Sequence, residues 1–98
     1  MSKITQSAKG RPCQMRLECV CNHNPETTVA AHLRMSGLGG GIGAKPYDLF
    51  TAHLCSACHD AADDRDRRGH NKDYVRRKFM EAVFRTQKIL VDEGIIKY

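Results

Sequence analysis

The stretch Cys55-Ser56-Ala57-Cys58-His59 decides how this 98-residue chain is expected to fold. Two thiolates separated by two residues can bind one metal ion from a tight turn, and Zn²⁺ prefers four sulfur or nitrogen ligands in a tetrahedron. A redox Cys-x-x-Cys site would instead sit in a βαβ setting, and no such pattern surrounds this one. We therefore predict a structural zinc site that includes Cys55 and Cys58.

The other two zinc ligands are expected among three upstream cysteines, Cys13, Cys19 and Cys21. All three share one parity in the segment 13–21, whose alternation predicts a strand with one buried face. Cys13 and Cys21 flank this segment and can approach one ion from its two ends, so we favour them as ligands. Cys19 is either a substitute ligand or a small buried hydrophobic residue.

The number of cysteines and the hydropathy of the chain limit the class of protein that it can be. The cysteines number five, so a complete set of disulfides would leave one thiol over. The N-terminus has no apolar run of signal-peptide length, and no segment approaches the ~20 apolar residues of a membrane span. We expect a cytoplasmic protein, where thiols stay reduced and clustered cysteines more often bind metal.

The chain is predicted to form one small α+β domain after an N-terminal arm. Residues 1–12 are predicted to be a flexible basic arm, and residues 13–98 a single zinc-containing domain. We expect the segment 27–34 to be a second strand that pairs with the strand at 13–21 as a β-hairpin. A loop follows, because five glycines between Ser36 and Gly43 are incompatible with a stable helix or central strand.

Two helices are predicted after this loop. One begins at Cys58, and a longer one begins at a cap on Asn71 or Asp73 and runs to about Glu93, with Gly94 as its C-terminal stop. Apolar residues recur at helical spacing along the longer helix and predict its buried face. These residues are Val75, Phe79, Met80, Val83, Phe84 and Leu90.

The basic residues indicate a surface for phosphates. The net charge is +5, from 16 Lys and Arg against 11 Asp and Glu. One basic cluster without acids lies in residues 1–17, and a second, mixed with aspartates, lies in residues 65–78. Such clusters occur on solvated helices and on nucleic-acid-binding surfaces. For a nucleic-acid surface, the candidate phosphate contacts are Arg34, Arg76 and Arg77.

Histidine and aspartate side chains predict a second cation site. His59 is rotated by ~100° from Cys58 on the helix and therefore points away from the zinc site. Asp63 lies four residues further, on the same face as His59, and an imidazole with a carboxylate can bind a divalent cation. His32 lies in the second predicted strand, on the face opposite Leu33. Each histidine alone is expected to be structural, but their order around Cys-x-x-Cys points to a site.

This order of motifs resembles the HNH or ββα-metal endonucleases, in the subtype with a zinc-binding cysteine pair around the active site. The resemblance is carried by Ala31-His32-Leu33-Arg34 and Cys55-Ser56-Ala57-Cys58-His59-Asp60. With Asn24-Pro25-Glu26-Thr27 and Glu93-Gly94-Ile95-Ile96-Lys97, nearly the whole chain is similar to the YbcO-like family of phage and prophage proteins, for which nuclease activity has been proposed. The resemblance implies a zinc-stapled ββα-metal domain with a long C-terminal helix and four zinc ligands. These are Cys13, Cys21, Cys55 and Cys58.

The resemblance also implies roles for the residues of the site. His32 takes the role of the general base that activates water, and His59 binds a catalytic divalent cation such as Mg²⁺. Asp63 or Asp48 is the candidate second ligand, and Asp48 also stands nearest to the middle Asn of the general motif. Ala31 stands where many HNH enzymes carry a metal-binding Asp or His.

The implied function is metal-dependent hydrolysis of phosphodiester bonds in nucleic acid, with DNA as the expected substrate, by a phage or prophage accessory protein. The alternative is a non-catalytic zinc module that binds nucleic acid or another protein. This alternative accounts equally well for the cysteines and the charge, but not for the placement of His32 and His59. A purely structural phage protein would have no affinity for nucleic acid.

Overall fold

A computed structural model of the chain describes residues 3–33, 48–63 and 71–96. Within these ranges it forms a small α+β fold with a two-stranded sheet and a long C-terminal helix, as predicted. The predicted glycine-rich loop and Arg34 lie outside the described residues. The elements are, in chain order, α1 (Lys3–Gln6), β1 (Val29–His32), β2 (Thr51–Leu54), α2 (Ser56–Ala62) and α3 (Lys72–Asp92), with 3₁₀ turns at Pro25–Thr27 and Asp48–Phe50.

The strand β2 lies at the centre of the fold, and all its residues are buried. β1 pairs with it in antiparallel register, with Ala30 opposite His53. On the other edge, the backbone N–H of His53 donates to Thr86 Oγ1 of α3 at 3.0 Å. The backbone N–H of Gln14 donates to the His53 carbonyl at 2.7 Å. Both edges of β2 are therefore hydrogen-bonded, which holds the strand that leads directly into Cys-x-x-Cys.

The prediction of a strand at 13–21, paired in a hairpin with 27–34, is wrong. Residues 13–21 form bends and turns, and β1 pairs instead with β2. Arg16 and Cys19 have φ angles of 49° and 61°, in the left-handed region, which reverses the chain and excludes a strand. Met15 and Leu17 are buried, but so is Gln14 of the opposite parity, and Cys19 is exposed, so burial in this loop follows its turns and not the period of a strand.

The long helix α3 begins and ends where the sequence predicts. Of the two candidate caps, Asn71 is the one in the structure, and its side chain accepts a hydrogen bond from the backbone N–H of Tyr74 at 3.0 Å. Gly94, with φ of 75°, follows the end of the helix. Phe84 departs from the predicted buried face, because it is 63% exposed. No helix among the described residues is long and apolar enough to cross a membrane.

The N-terminal segment contacts the rest of the fold. Residues 3–6 form the short helix α1, which packs against β1 and the turn at 48–50. Ala8 is buried, and Arg11 forms an ion pair with Glu93, just beyond α3. The division of the chain into an arm at 1–12 and a domain at 13–98 stays a prediction.

His53 is an unusual residue of this core. Its side chain is fully buried, and neither ring nitrogen has a hydrogen-bond partner among the described residues. Burial and the neighbouring positive charge of Arg11 lower the pKa of His53, which therefore stays neutral at physiological pH.

Candidate functional site

Four cysteines meet at one point of the fold, and their sulfur atoms all lie within 4.8 Å of one another. They are therefore positioned to bind a metal ion. Of the three upstream cysteines, the structure brings Cys13 and Cys21 to this cluster, whereas the Cys19 thiol is exposed and lies outside it. The four cysteines are Cys13 and Cys21, from the segment before β1, and Cys55 and Cys58, at the start of α2.

Backbone N–H groups donate hydrogen bonds to two of the four sulfur atoms, whereas burial raises the pKa of the Cys21 thiol. The backbone N–H of Arg16 donates to Cys13 Sγ at 3.4 Å, and that of Cys58 donates to Cys55 Sγ at 3.4 Å. A side-chain hydrogen bond between Cys13 and Cys58 lowers the pKa of Cys13 to about 4 and raises the pKa of Cys58. Without a metal the pair thus retains a proton, which metal binding would release.

Polar side chains join the segment that carries Cys21 to the helix that carries Cys58. Asn22 Nδ2 donates to Ser56 Oγ at 3.1 Å, and the backbone N–H of Ser56 donates to Thr27 Oγ1 at 3.2 Å. Hydrogen bonds outside the ligand set orient the ligands of metal sites. These bonds hold the two halves of the cysteine cluster in a fixed relation.

His59 and Asp63 contact each other on α2. His59 Nε2 lies 3.4 Å from Asp63 Oδ2, and the two side chains are 30% and 37% exposed. The helical spacing that predicts a shared face is therefore present in the structure. His59 does not belong to the sulfur cluster, and its role as a ligand of a second cation stays a prediction.

A pocket of about 360 Å³ brings several of the predicted site residues together. His32 reaches it from the end of β1, Asp63 from the end of α2, and Arg76 from the start of α3. His59 adjoins this group through its contact with Asp63. Three elements that are distant in sequence therefore place an imidazole, a carboxylate and a guanidinium around one opening.

The remaining predicted residues are placed differently. Asp48 begins the turn that leads into β2, three residues before Thr51, which lies opposite His32 in the sheet. Its role as the middle residue of the motif stays a prediction. Arg77 has its guanidinium carbon 5.7 Å from the ring centroid of Tyr74 and is not among the residues that line the pocket.

Lys72 lines the pocket, although it is not among the site residues predicted from the sequence. In the sequence it is one of many cations in the mixed cluster at 65–78. Lys72 is the first residue of α3 and lies four residues before Arg76. Residues at this spacing share a helix face, and this spacing is the signal that could have identified Lys72.

Comparisons with known proteins cover nearly the whole chain. A family model described as "Putative nuclease YbcO" matches residues 2–95. Two relatives, "Putative nuclease YbcO" of Escherichia coli (strain K12) and "Putative nuclease ybcO" of Enterobacteria phage 82, are each 48% identical over 99 residues, which is 99% of this chain and 99% of theirs. A solved structure described as a putative bacteriophage protein from Escherichia coli str. K-12 substr. MG1655 superposes with a TM-score of 0.77 at 42% identity, covering 92% of this chain and 98% of the other. The chain belongs to the YbcO family.

Proposed function

We propose that this protein is a metal-dependent endonuclease of the HNH type that hydrolyses phosphodiester bonds of nucleic acid, with DNA as the substrate. The observation that carries the proposal is the placement of His32 and Asp63 around one pocket, with His59 in contact with Asp63 and directly after Cys58 of the four-cysteine cluster. The nuclease names of the two relatives support it. We place its action in the cytoplasm of a bacterial host, as an accessory of a phage or prophage.

The metal that we assign to the four cysteines is a structural zinc ion. Zinc–sulfur bonds of ~2.3 Å in a tetrahedron separate neighbouring sulfur atoms by about 3.8 Å. The sulfur atoms of Cys21 and Cys55 lie 3.8 Å apart, so this edge already has the required length. A site made of four cysteines leaves no open position for substrate, which is typical of structural rather than catalytic zinc.

In the proposed mechanism, His32 accepts a proton from the water that attacks the phosphorus, while the P–O bond to one sugar oxygen of the strand breaks and that oxygen takes up a proton from solvent. His59, with Asp63, is the proposed ligand set for a divalent cation such as Mg²⁺. When bound there, this cation would stabilise the charge that develops on the phosphate oxygens. Arg76 holds the phosphate at the pocket, while Arg34 and Arg77 are proposed to bind neighbouring phosphates of the strand.

A second candidate is a zinc module that binds nucleic acid or another protein without cleaving it. Ala31 favours this alternative, because it stands where many HNH enzymes carry a metal ligand and is buried at 2% exposure. The His59–Asp63 contact is also explicable as an ordinary i,i+4 pair. Any binding to nucleic acid is expected to weaken steeply with salt in both cases. Cleavage is what separates the two candidates.

The test of the proposed function is a cleavage assay on single-stranded, duplex and branched DNA, with Mg²⁺, Mn²⁺ or Zn²⁺ supplied. We expect wild-type protein to cleave and His32→Ala to be slower by ~10²–10⁴-fold, the usual contribution of a general base, with DNA binding retained. Unchanged cleavage by His32→Ala would exclude His32 as the base. Absence of cleavage for every substrate and metal would favour the second candidate, the zinc module that binds without cleaving.

A further inference from the structure

The pocket beside His32 has a composition that the proposed hydrolysis alone does not require. Two cations, Lys72 and Arg76, project into it from the first turns of α3. They are four residues apart, about 6 Å along the helix axis, and share one face. The start of the helix, capped by Asn71, adds the partial positive charge of its free N–H groups. This wall of the pocket suits a phosphate group.

The floor of the pocket is apolar. Val75 and Phe79, which also line it, are 6% and 7% exposed and belong to the hydrophobic core. A phosphate ion alone gains nothing from an apolar floor and would leave most of the space empty. The volume of about 360 Å³ lies at the lower end of the ~300–1,000 Å³ of small-molecule pockets. A phosphate with an attached sugar and base matches both the size and the apolar floor.

The charges of the pocket make phosphate binding depend on a divalent cation. The positive charges of Lys72 and Arg76 are balanced by the carboxylates of Asp63 and Asp73 on the same pocket. Among the described lining residues, a phosphate therefore meets no net charge unless a divalent cation occupies the carboxylate side. Occupation of that side by a cation would make the pocket attractive to an anion.

We infer that this pocket binds one unpaired nucleotide of the strand, with its phosphate on Lys72 and Arg76 and its sugar and base against Val75 and Phe79. The inference rests on the proposed function in taking nucleic acid as the ligand. A base that is stacked in a duplex cannot enter a pocket, so the site selects single-stranded, frayed or branched regions. We expect a divalent cation to strengthen binding, because the described residues that line the pocket carry balanced charges without one.

The binding test uses thymidine 5′-monophosphate, inorganic phosphate and thymidine as probes, titrated into labelled protein with Mg²⁺ while amide shifts are followed by NMR. We expect the monophosphate to bind about tenfold or more tightly than either fragment, and to lose affinity when Mg²⁺ is omitted. Lys72→Gln and Arg76→Gln should each weaken it about tenfold or more, the effect of one charge-assisted hydrogen bond. Lys88→Gln is the matched control, since Lys88 is exposed, pairs with Asp92 and lies about 18 Å along α3 from Arg76.

Equal affinities for the monophosphate and inorganic phosphate would overturn the inference, as would an equal loss of affinity in Lys88→Gln. Displacement of the monophosphate by intact duplex as effectively as by single-stranded oligothymidine would also overturn it. Cleavage measured in parallel separates this inference from the proposed function. Cleavage that needs His32 but has an unchanged KM in Lys72→Gln and Arg76→Gln refutes only the pocket. Monophosphate binding that needs Lys72 and Arg76, without any cleavage, supports the pocket and refutes only the hydrolysis.

Discussion

Arg11 and Glu93 are joined by a two-pronged ion pair across 82 positions of sequence, with Nη2 of Arg11 2.5 Å from Oε1 of Glu93. Arg11 precedes the first cysteine of the cluster by two residues, and its carbonyl accepts a hydrogen bond from Thr28 Oγ1 at 2.6 Å, just before β1. The pair therefore connects the end of α3 to the segment that presents Cys13.

The ion pair predicts an acid-sensitive contribution to stability. The hydrogen bond and charge of Arg11 lower the pKa of Glu93 below its ordinary value of 4.5. The contribution is therefore complete above about pH 4.5 and is lost as the pH falls through the lower pKa of the folded state. We expect wild-type protein to be more stable than Glu93→Gln at pH 6, and this difference to shrink on acidification or in high salt.

Urea titrations of wild type, Arg11→Gln, Glu93→Gln and the double variant at each pH measure this coupling directly. Strictly additive effects of the two single changes at pH 6 would show that the pair adds nothing to stability. Lys88→Gln is a suitable reference, because its ion pair with Asp92 lies within one helix and is fully exposed to screening.

Removal of the metal is expected to unfold the domain. The four sulfur atoms join the segment before β1 to the start of α2, and a metal site absent from the unfolded chain contributes its binding free energy to folding. We expect purified protein to contain about one zinc per chain, and both Cys55→Ser and Cys58→Ser to lose metal and helical circular dichroism. Cys19→Ser is the control and should retain both, because Cys19 is exposed. Folded protein without zinc by elemental analysis would contradict the assignment.

His59→Ala and His32→Ala are both expected to slow cleavage, but only the loss in His59→Ala should depend on the cation concentration. Because His59 is proposed to bind the catalytic cation, its loss should weaken cation affinity, and a raised Mg²⁺ or Mn²⁺ concentration should restore part of the cleavage rate. Loss of His32 removes a base, which no cation concentration replaces. Rates measured over a range of metal concentrations distinguish the two variants. Identical, non-rescuable losses would argue against His59 as a ligand, and retention of zinc in both variants controls for folding.

The buried His53 predicts a second pH dependence, in a window above that of Glu93. Since the pKa of His53 is lowered in the fold from 6.5, the unfolded chain takes up a proton first as the pH falls. Stability should therefore decline below about pH 6.5 and level off below the pKa of the folded state. His53→Leu keeps an apolar core of similar volume and removes two ring nitrogens that find no hydrogen-bond partner among the residues the structure describes, so its Tm at pH 7.5 should equal or exceed that of wild type.

The comparison of the two proteins between pH 7.5 and 5 checks this expectation. His53→Leu should lose less stability over this range than wild type. An identical decline in both proteins would show that His53 does not titrate on unfolding.

Local chemistry explains what the sequence by itself determined. The spacing of Cys55 and Cys58 predicts a chelating turn at a helix start, and α2 begins between them at Ser56. The bounds of α3 follow from Asn71, whose side chain caps the first turn, and from Gly94, which adopts a positive φ that most residues avoid. These features depend on contacts within a few residues, so the sequence displays them directly.

Only the tertiary structure decided the path of the chain between Cys13 and Cys21. Apolar residues in this loop alternate in sequence as they would in a strand, but attachment to a common centre with α2 requires the chain to fold back on itself. The sequence near β1 does not reveal its partner strand either. β1 pairs with the edge of β2 that the distant helix α3 does not occupy. The same long-range packing brings Lys72 to the pocket of His32 and encloses the ring of His53, whose nitrogens have no hydrogen-bond partner in the described part of the chain. These contacts depend on how apolar surfaces from the whole chain are buried against one another. No single stretch of sequence holds that information.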